Sequence, residues 1–299
     1  MTAPMSTPDM PGAEGVVNPY LIQGPALISF SGGRTSGYML KHILDAHGGT
    51  LPADVHVTFA NTGREMPETL DFVQECSERW GVRIVWLEFD PRAEHKTAIV
   101  NHNSASRNGE PLAAIITERK VLPNPTMRFC TIEAKIRRQQ KYATKVLGYD
   151  AWANVVGLRA DEMSRVEKQI TRFASGKDGK AKGRPLMPLA DAGVSKRDVG
   201  AWWSAQPFDL HLPNINGSTP DGNCDLCFLK QAVNIQSTMR RRPETAAWWI
   251  EQEAKHAGRG NHSFFRQDRP AYVELLKFAQ TQTDLFAAQE ESLDCACTD

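Results

Sequence analysis

Apolar positions change their period several times along the chain, and each change marks an element. Ala26-Leu-Ile-Ser-Phe30 is a short, nearly unbroken apolar run of the kind shown by a strand buried on both faces. Beyond the glycines at 32 and 33, Met39, Leu40, Ile43 and Leu44 recur at helical spacing, and Gly48-Gly49 ends that helix. Val55, Val57 and Phe59 alternate as a second strand up to Asn61-Thr62-Gly63. Pro67 suits the first turn of a helix that puts Val73, Cys76 and Trp80 on one face. Gly81 stops it, and Arg83 to Phe89 reads as a third strand. This alternation predicts βαβ units and an α/β fold: a doubly wound, mostly parallel sheet with flanking helices.

Further along, the pattern loosens. Residues 90–128 are rich in Asn, Ser, Pro and Gly around one apolar stretch, Leu112 to Ile116, and are expected to form a long lid or substrate loop. Ile132, Ile136, Ala143, Val146 and Leu147 mark a helix, and Ala151 to Gly157 a strand. Gln169 to Arg184 is Gly- and Lys-rich and is expected to be a flexible basic loop. A helix near 196–205, a turn-rich connection to Cys224 and a helical region over 229–288 follow. Met1 to Gln23 holds four prolines and no periodicity, which suits a disordered arm. The expected division is an arm over 1–24, an α/β domain over 25–205 and a smaller helical, cysteine-bearing region over 206–299.

Composition narrows the setting more than the fold. With 299 residues, 41% apolar and 23% charged, the chain is long enough for a substantial core. No apolar run approaches a membrane span, and the first basic residue is Arg34, so neither a membrane nor a secretory start is expected and the location expected is cytoplasmic. Formal net charge is zero, yet Arg128 to Arg197 carries sixteen Lys/Arg against seven Asp/Glu. That basic middle suits phosphates or sulfate, or a nucleic-acid backbone. Six cysteines are too few for a secreted disulfide scaffold and point to metal or redox chemistry.

Ser29-Phe30-Ser31-Gly32-Gly33-Arg34-Thr35-Ser36 sits where a strand should hand over to a helix. Glycines there let the backbone approach a phosphate, and the helix start offers free N–H groups. Neither the Walker pattern nor the dinucleotide fingerprint is present. The segment resembles the pyrophosphate loop, Ser-Gly-Gly-x-x-Ser, of the adenine-nucleotide α-hydrolase-like (PP-loop) superfamily. Asn61-Thr-Gly-Arg-Glu-Met-Pro-Glu-Thr69, Gly157-Leu-Arg-Ala-Asp-Glu-Met-Ser-Arg165, Pro185 to Leu189 and Cys224-Asp-Leu-Cys227 follow in the order of the phosphoadenosine phosphosulfate (PAPS) reductase family. The chain departs from the family in Arg34-Thr35, where a lysine or acid is common in ATP-cleaving relatives, and in Asn61, where an aspartate is usual.

The resemblance implies that an adenine nucleotide, ATP or PAPS/APS, with Mg as a further expectation, binds at Ser29, Ser31, Gly32, Gly33, Arg34, Thr35, Ser36, Asn61, Thr62, Gly63, Glu65, Gly157 and Arg159. It implies catalytic roles for Arg34, Arg159, Arg165 and a tail thiol, Cys297. Cluster-bearing relatives hold a [4Fe-4S] group on a cysteine pair near position 130 and the Cys-x-x-Cys; here the set would be Cys130, Cys224, Cys227 and Cys295. Zinc on the same thiolates is the alternative. Cys295 and Cys297 could exchange the roles of ligand and nucleophile, and Cys76 is expected in the core.

Two functions follow. One is a PAPS reductase-like enzyme in which a thiolate attacks the sulfur of a sulfonucleotide, with a thiol protein as electron donor. The other is an ATP pyrophosphatase that adenylates a nucleic acid for sulfur insertion, with a sulfur-donor protein as partner. The pairs Trp202-Trp203 and Trp248-Trp249 are expected to be core, and His262 has no assigned role.

Overall fold

A computed structural model describes residues 18–176, 183–215, 217–258, 260 and 263–281. Its centre is a six-stranded sheet: β1 (Ala26–Ser29), β2 (Val55–Asn61), β3 (Ile84–Phe89), β4 (Thr97–Val100), β5 (Trp152–Val155) and β6 (Gly183–Leu186). The spatial order is β4-β3-β2-β1-β5-β6, with β4 antiparallel to β3 and every other pair parallel. The chain is thus the doubly wound α/β fold that the alternation of periods implied.

Strand parity sends side chains to two different cores. Ala26, Ile28, Val57 and Phe59 face α1 (Arg34–Ala46), α2 (Pro67–Trp80) and α7 (Lys196–Ser204). Leu27, Val85 and Leu87 face the opposite side, against Tyr142 and Ala143. Those two belong to a helical stretch with π-turns at Thr131–Ile136 and Tyr142–Val146 around α4 (Arg137–Lys141). A third core joins α3 (Glu110–Arg119) to Cys224–Leu229 and to α8 (Ala232–Arg241), α9 (Ala246–His256) and α10 (Tyr272–Thr281). Trp203, Trp248 and Trp249 are buried in these cores as expected, and Cys76 is wholly inaccessible.

Several expectations need correcting. Residues 90–128 are not a plain loop, for they contain the edge strand β4 and helix α3. Leu112, Ile115 and Ile116 are what bury that helix. The supposed flexible loop from Gln169 is helical as far as Ala174, in α5 (Met163–Ala174), and resumes as β6 at Gly183. Val166, Ile170 and Phe173 have helical spacing, which the glycines and lysines after them obscured. The expected helix over 271–288 is described only across α10. Ile22, assigned to the arm, is buried in the main core, and Tyr20 lies against His42. A short helix, α6 (Pro188–Asp191), follows β6.

Candidate nucleotide site

β2 and β5 flank β1 on opposite sides, so the strand order reverses at β1. Crevices at the carboxyl ends of strands beside such a reversal are where doubly wound sheets bind ligands. The segments leaving β1 and β5 there are Phe30–Gly33 and Val156–Glu162. Between them and residues 210–234 lies a cleft of about 450 Å³. Its walls include Ser31, Gly33, Arg159, Arg165, Cys227 and Lys230.

The loop is pinned by its own last serine. Ser36 Oγ accepts from the N–H groups of Ser31 and Gly33 at 3.2 and 3.3 Å and donates to the Gly33 carbonyl at 2.9 Å. The hydroxyl expected to meet a phosphate is therefore spent on the shape of the loop. Gly32 makes that shape possible: its φ is +78°, and a Cβ there would stand 2.6 Å from Thr69 Cγ2. Ser29 is likewise engaged, its Oγ accepting from Gln139 Nε2 at 2.7 Å. Thr35 Oγ1 accepts from Arg159 Nη1 at 3.1 Å, which joins the loop to the opposite lip.

Arg34 departs most from expectation. Arg34 is among the residues lining the cleft, but its fork grips Asp209, Nε to Oδ1 at 2.7 Å and Nη2 to Oδ2 at 2.6 Å. Arg159 and Arg165 do stand at the cleft, bridged by acids: Arg159 Nε donates to Asp161 at 2.9 Å, and both arginines pair with Glu162. Gly157, between β5 and Arg159, is part of the backbone that presents them. Two cations of the basic middle, Lys135 and Arg137, pair with Glu65 at 3.6 Å and Glu133 at 2.6 Å.

The turn after β2 is a closed network. Asn61 Nδ2 donates to Glu88 Oε1 at 2.6 Å and to the Ser106 carbonyl at 2.8 Å, while its Oδ1 accepts from Gly63 N–H at 3.0 Å. The N–H and hydroxyl of Thr62 both donate to Glu65 Oε2 at 2.8 Å. The other oxygen of Glu65 is buried without a hydrogen bond among the described residues. This turn carries the Cys-x-x-Cys segment: Glu65 bridges Cys224, Asp225 N–H donates to the Arg64 carbonyl at 2.8 Å, and Arg64 pairs with Asp225. Thr62 Oγ1 is 3.3 Å from Cys224 Sγ.

Cys224 and Cys227 are buried, and Cys130 packs half-buried against the same core. Among the described residues no three His, Cys, Asp or Glu side chains gather closely enough to hold a metal ion. The expected ligand set Cys130, Cys224, Cys227 and Cys295 is therefore not assembled by the described residues, and they do not by themselves fit zinc or a cluster. Cys295 and Cys297 lie outside those residues, as does His262. Cys227 is the thiol on the cleft wall.

Sequence reasoning missed Lys196, Lys230 and the wall that Leu210, Asn214 and residues 217–220 supply. Lys230 follows Cys227 by three positions, a cue that was available. Its Nζ donates to the Asp225 carbonyl at 2.8 Å, and burial holds its ammonium below the usual lysine range, against the pull of Cys227 and Asp225. Asp209 and Thr219 offered no local pattern at all. Among the described residues no helix is long and apolar enough to cross a membrane.

The chain is 31% identical over 216 residues to "Uncharacterized nin region protein ORF290" of Escherichia phage lambda, which takes in 70% of this chain and 67% of that protein. A solved structure, the U34-tRNA thiolase NcsA from Methanococcus maripaludis with its [4Fe-4S] cluster, aligns at 14% identity and a TM-score of 0.38, covering 91% of this chain and 78% of that one. The family described as "Phosphoadenosine phosphosulfate reductase domain" matches residues 25–199, a span that holds the loop after β1, the turn after β2 and both cleft arginines. By that match this chain belongs to the phosphoadenosine phosphosulfate reductase domain family.

Proposed function

We propose that the cleft binds an adenine nucleotide by its phosphate or sulfate groups and that the protein is an enzyme of sulfur chemistry acting on a sulfonucleotide. The observation that carries this is the meeting, at the switch point of the sheet, of the α1 loop with Arg159 and Arg165. The loop offers backbone N–H groups and the positive end of a 13-residue helix. The arginines offer charge-assisted hydrogen bonds to the oxygens that gain charge as the sulfur–oxygen bond breaks.

A thiolate attacks the sulfonate sulfur, a sulfur–sulfur bond forms, and the nucleotide leaves as its phosphate. A second thiol from the donor then takes the first sulfur, forming a disulfide and releasing sulfite. Cys297 is the attacking thiol that the family resemblance suggests, and Cys227 is the thiol on the cleft wall. Gly33→Val should block backbone approach and abolish binding of PAPS, APS and ATP in calorimetry on a folded protein; unchanged affinity for all three would overturn the assignment. Metal analysis of anaerobically prepared protein separates iron and sulfide from zinc.

The second reading, ATP activation of a nucleic acid, is favoured by α5. Met163, Ile170 and Phe173 are exposed along it beside Lys168 and Arg172, and its first turn lines the cleft. Pyrophosphate release from ATP in the presence of RNA or DNA, without sulfite release from PAPS, would select it.

A further inference from the structure

Arg34 sits inside the loop motif, between the glycines and the threonine, where a cation would be assigned to the bound anion. Its guanidinium is nevertheless committed elsewhere. Besides the two bonds to Asp209, Nη2 donates to the Leu212 carbonyl and Nη1 to Thr219 Oγ1, both at 2.9 Å. Four of the roughly five N–H donors a guanidinium owns are thus spent on one segment. From the other side, Trp203 Nε1 donates to the Arg34 carbonyl at 2.6 Å, which fixes the base of the side chain.

The segment so gripped is the far wall of the cleft. Leu210 and Leu212 are buried anchors, and Ile215 and Ser218 close a tight turn through paired N–H···O bonds of 2.8 and 2.9 Å. Lys196 Nζ donates to Ser218 Oγ at 2.6 Å and steadies the turn. Asn214, Ser218, Thr219 and Pro220 then face the loop across the cleft.

We propose that Arg34 is a positioning residue: with Asp209 and Thr219 it fastens residues 209–215 and 217–219 as the second wall of the nucleotide cleft, and the anion is bound without its charge. This rests on the cleft being the nucleotide site. The two roles for Arg34 respond to a change at Asp209 with opposite sign. If Arg34 were a direct anion ligand, Asp209→Asn would free the fork and remove a nearby negative charge, so binding would tighten. As a strut, Arg34 loses its main anchor in that variant, the wall loosens, and binding weakens. Arg34→Lys separates the two in the same way, because it keeps the charge and loses the fork.

The experiment is calorimetry with ATP and with PAPS on the full chain, alongside hydrogen exchange of the 209–219 peptide without nucleotide. Asp209→Asn and Arg34→Lys should each bind about tenfold more weakly and exchange faster in that peptide. Asp209→Glu should recover part of the loss, and the double variant should be little worse than the weaker single. Unchanged or tighter binding in Asp209→Asn overturns the strut. Wild-type protein that binds neither nucleotide overturns the nucleotide assignment instead. In that case hydrogen exchange alone decides the strut, and unchanged exchange in both variants refutes it.

Discussion

The turns that follow β1 and β2 each carry one arginine, and each arginine ties its turn to a segment far along the chain. Arg34 reaches Asp209 and Arg64 reaches Asp225, but the two pairs end in different surroundings. Arg64 and Asp225 are both enclosed, with side chains 10% and 6% exposed, and Trp249 Nε1 and Leu226 N–H also donate to the same carboxylate at 2.8 and 2.7 Å. Arg34 is enclosed, but Asp209 is 38% exposed. Burial pushes the Asp225 carboxyl up despite Arg64, whereas at Asp209 burial is outweighed by the bonds from Arg34 and the carboxyl is held below its ordinary value. Identical partners therefore make a weld inside the core and a tie at the surface, and access of water to the acid is what distinguishes them.

The largest effect should come from breaking the weld. Asp225→Ala leaves a buried guanidinium without its counter-charge, which costs about 3–5 kcal/mol, and chemical denaturation should show that loss or a failure to fold. Asp209→Asn should cost only about 1 kcal/mol, because water replaces part of what the carboxylate supplied. A loss in Asp209→Asn equal to that in Asp225→Ala would erase the distinction between the two pairs. Thr219→Val removes one hydrogen bond of the tie and should cost about 0.5–1 kcal/mol in the same assay.

The smallest effect is in acid. A carboxylate held below its ordinary value stabilises the fold above that value and loses the contribution as pH falls through the lowered one. The difference in Tm between wild type and Asp209→Asn should thus be full near neutrality and shrink only below about pH 4. A difference that shrinks already at pH 6 would assign the effect to another group.

How much of this was legible depended on distance along the chain. β1, α1, β2, α2 and β3 were readable because each is set by local periodicity and closed by a glycine or proline near its end, Gly81 among them. The loop and the turn after β2 were readable as compact strings of residues. The partners of Arg34 were not, since Asp209 and Thr219 lie about 180 positions away, within a stretch whose glycine, proline and asparagine content says only that it turns. Residues 169–174 were misjudged because the glycines and lysines after Ser175 outweighed three well-spaced apolar residues. Ser36 shows a subtler limit. Its presence was evident, but a hydroxyl facing a ligand and one facing its own backbone look alike in sequence.

The sheet ends on short strands at both margins, and β6 has a further property. Pro185 stands in its middle, opposite Asn154, and has no N–H to offer outward or inward. A foreign strand laid along this margin would meet a missing donor within four residues, too little backbone for a lasting ladder. The exposed side of β6 is thereby guarded against edge-to-edge growth at high protein concentration.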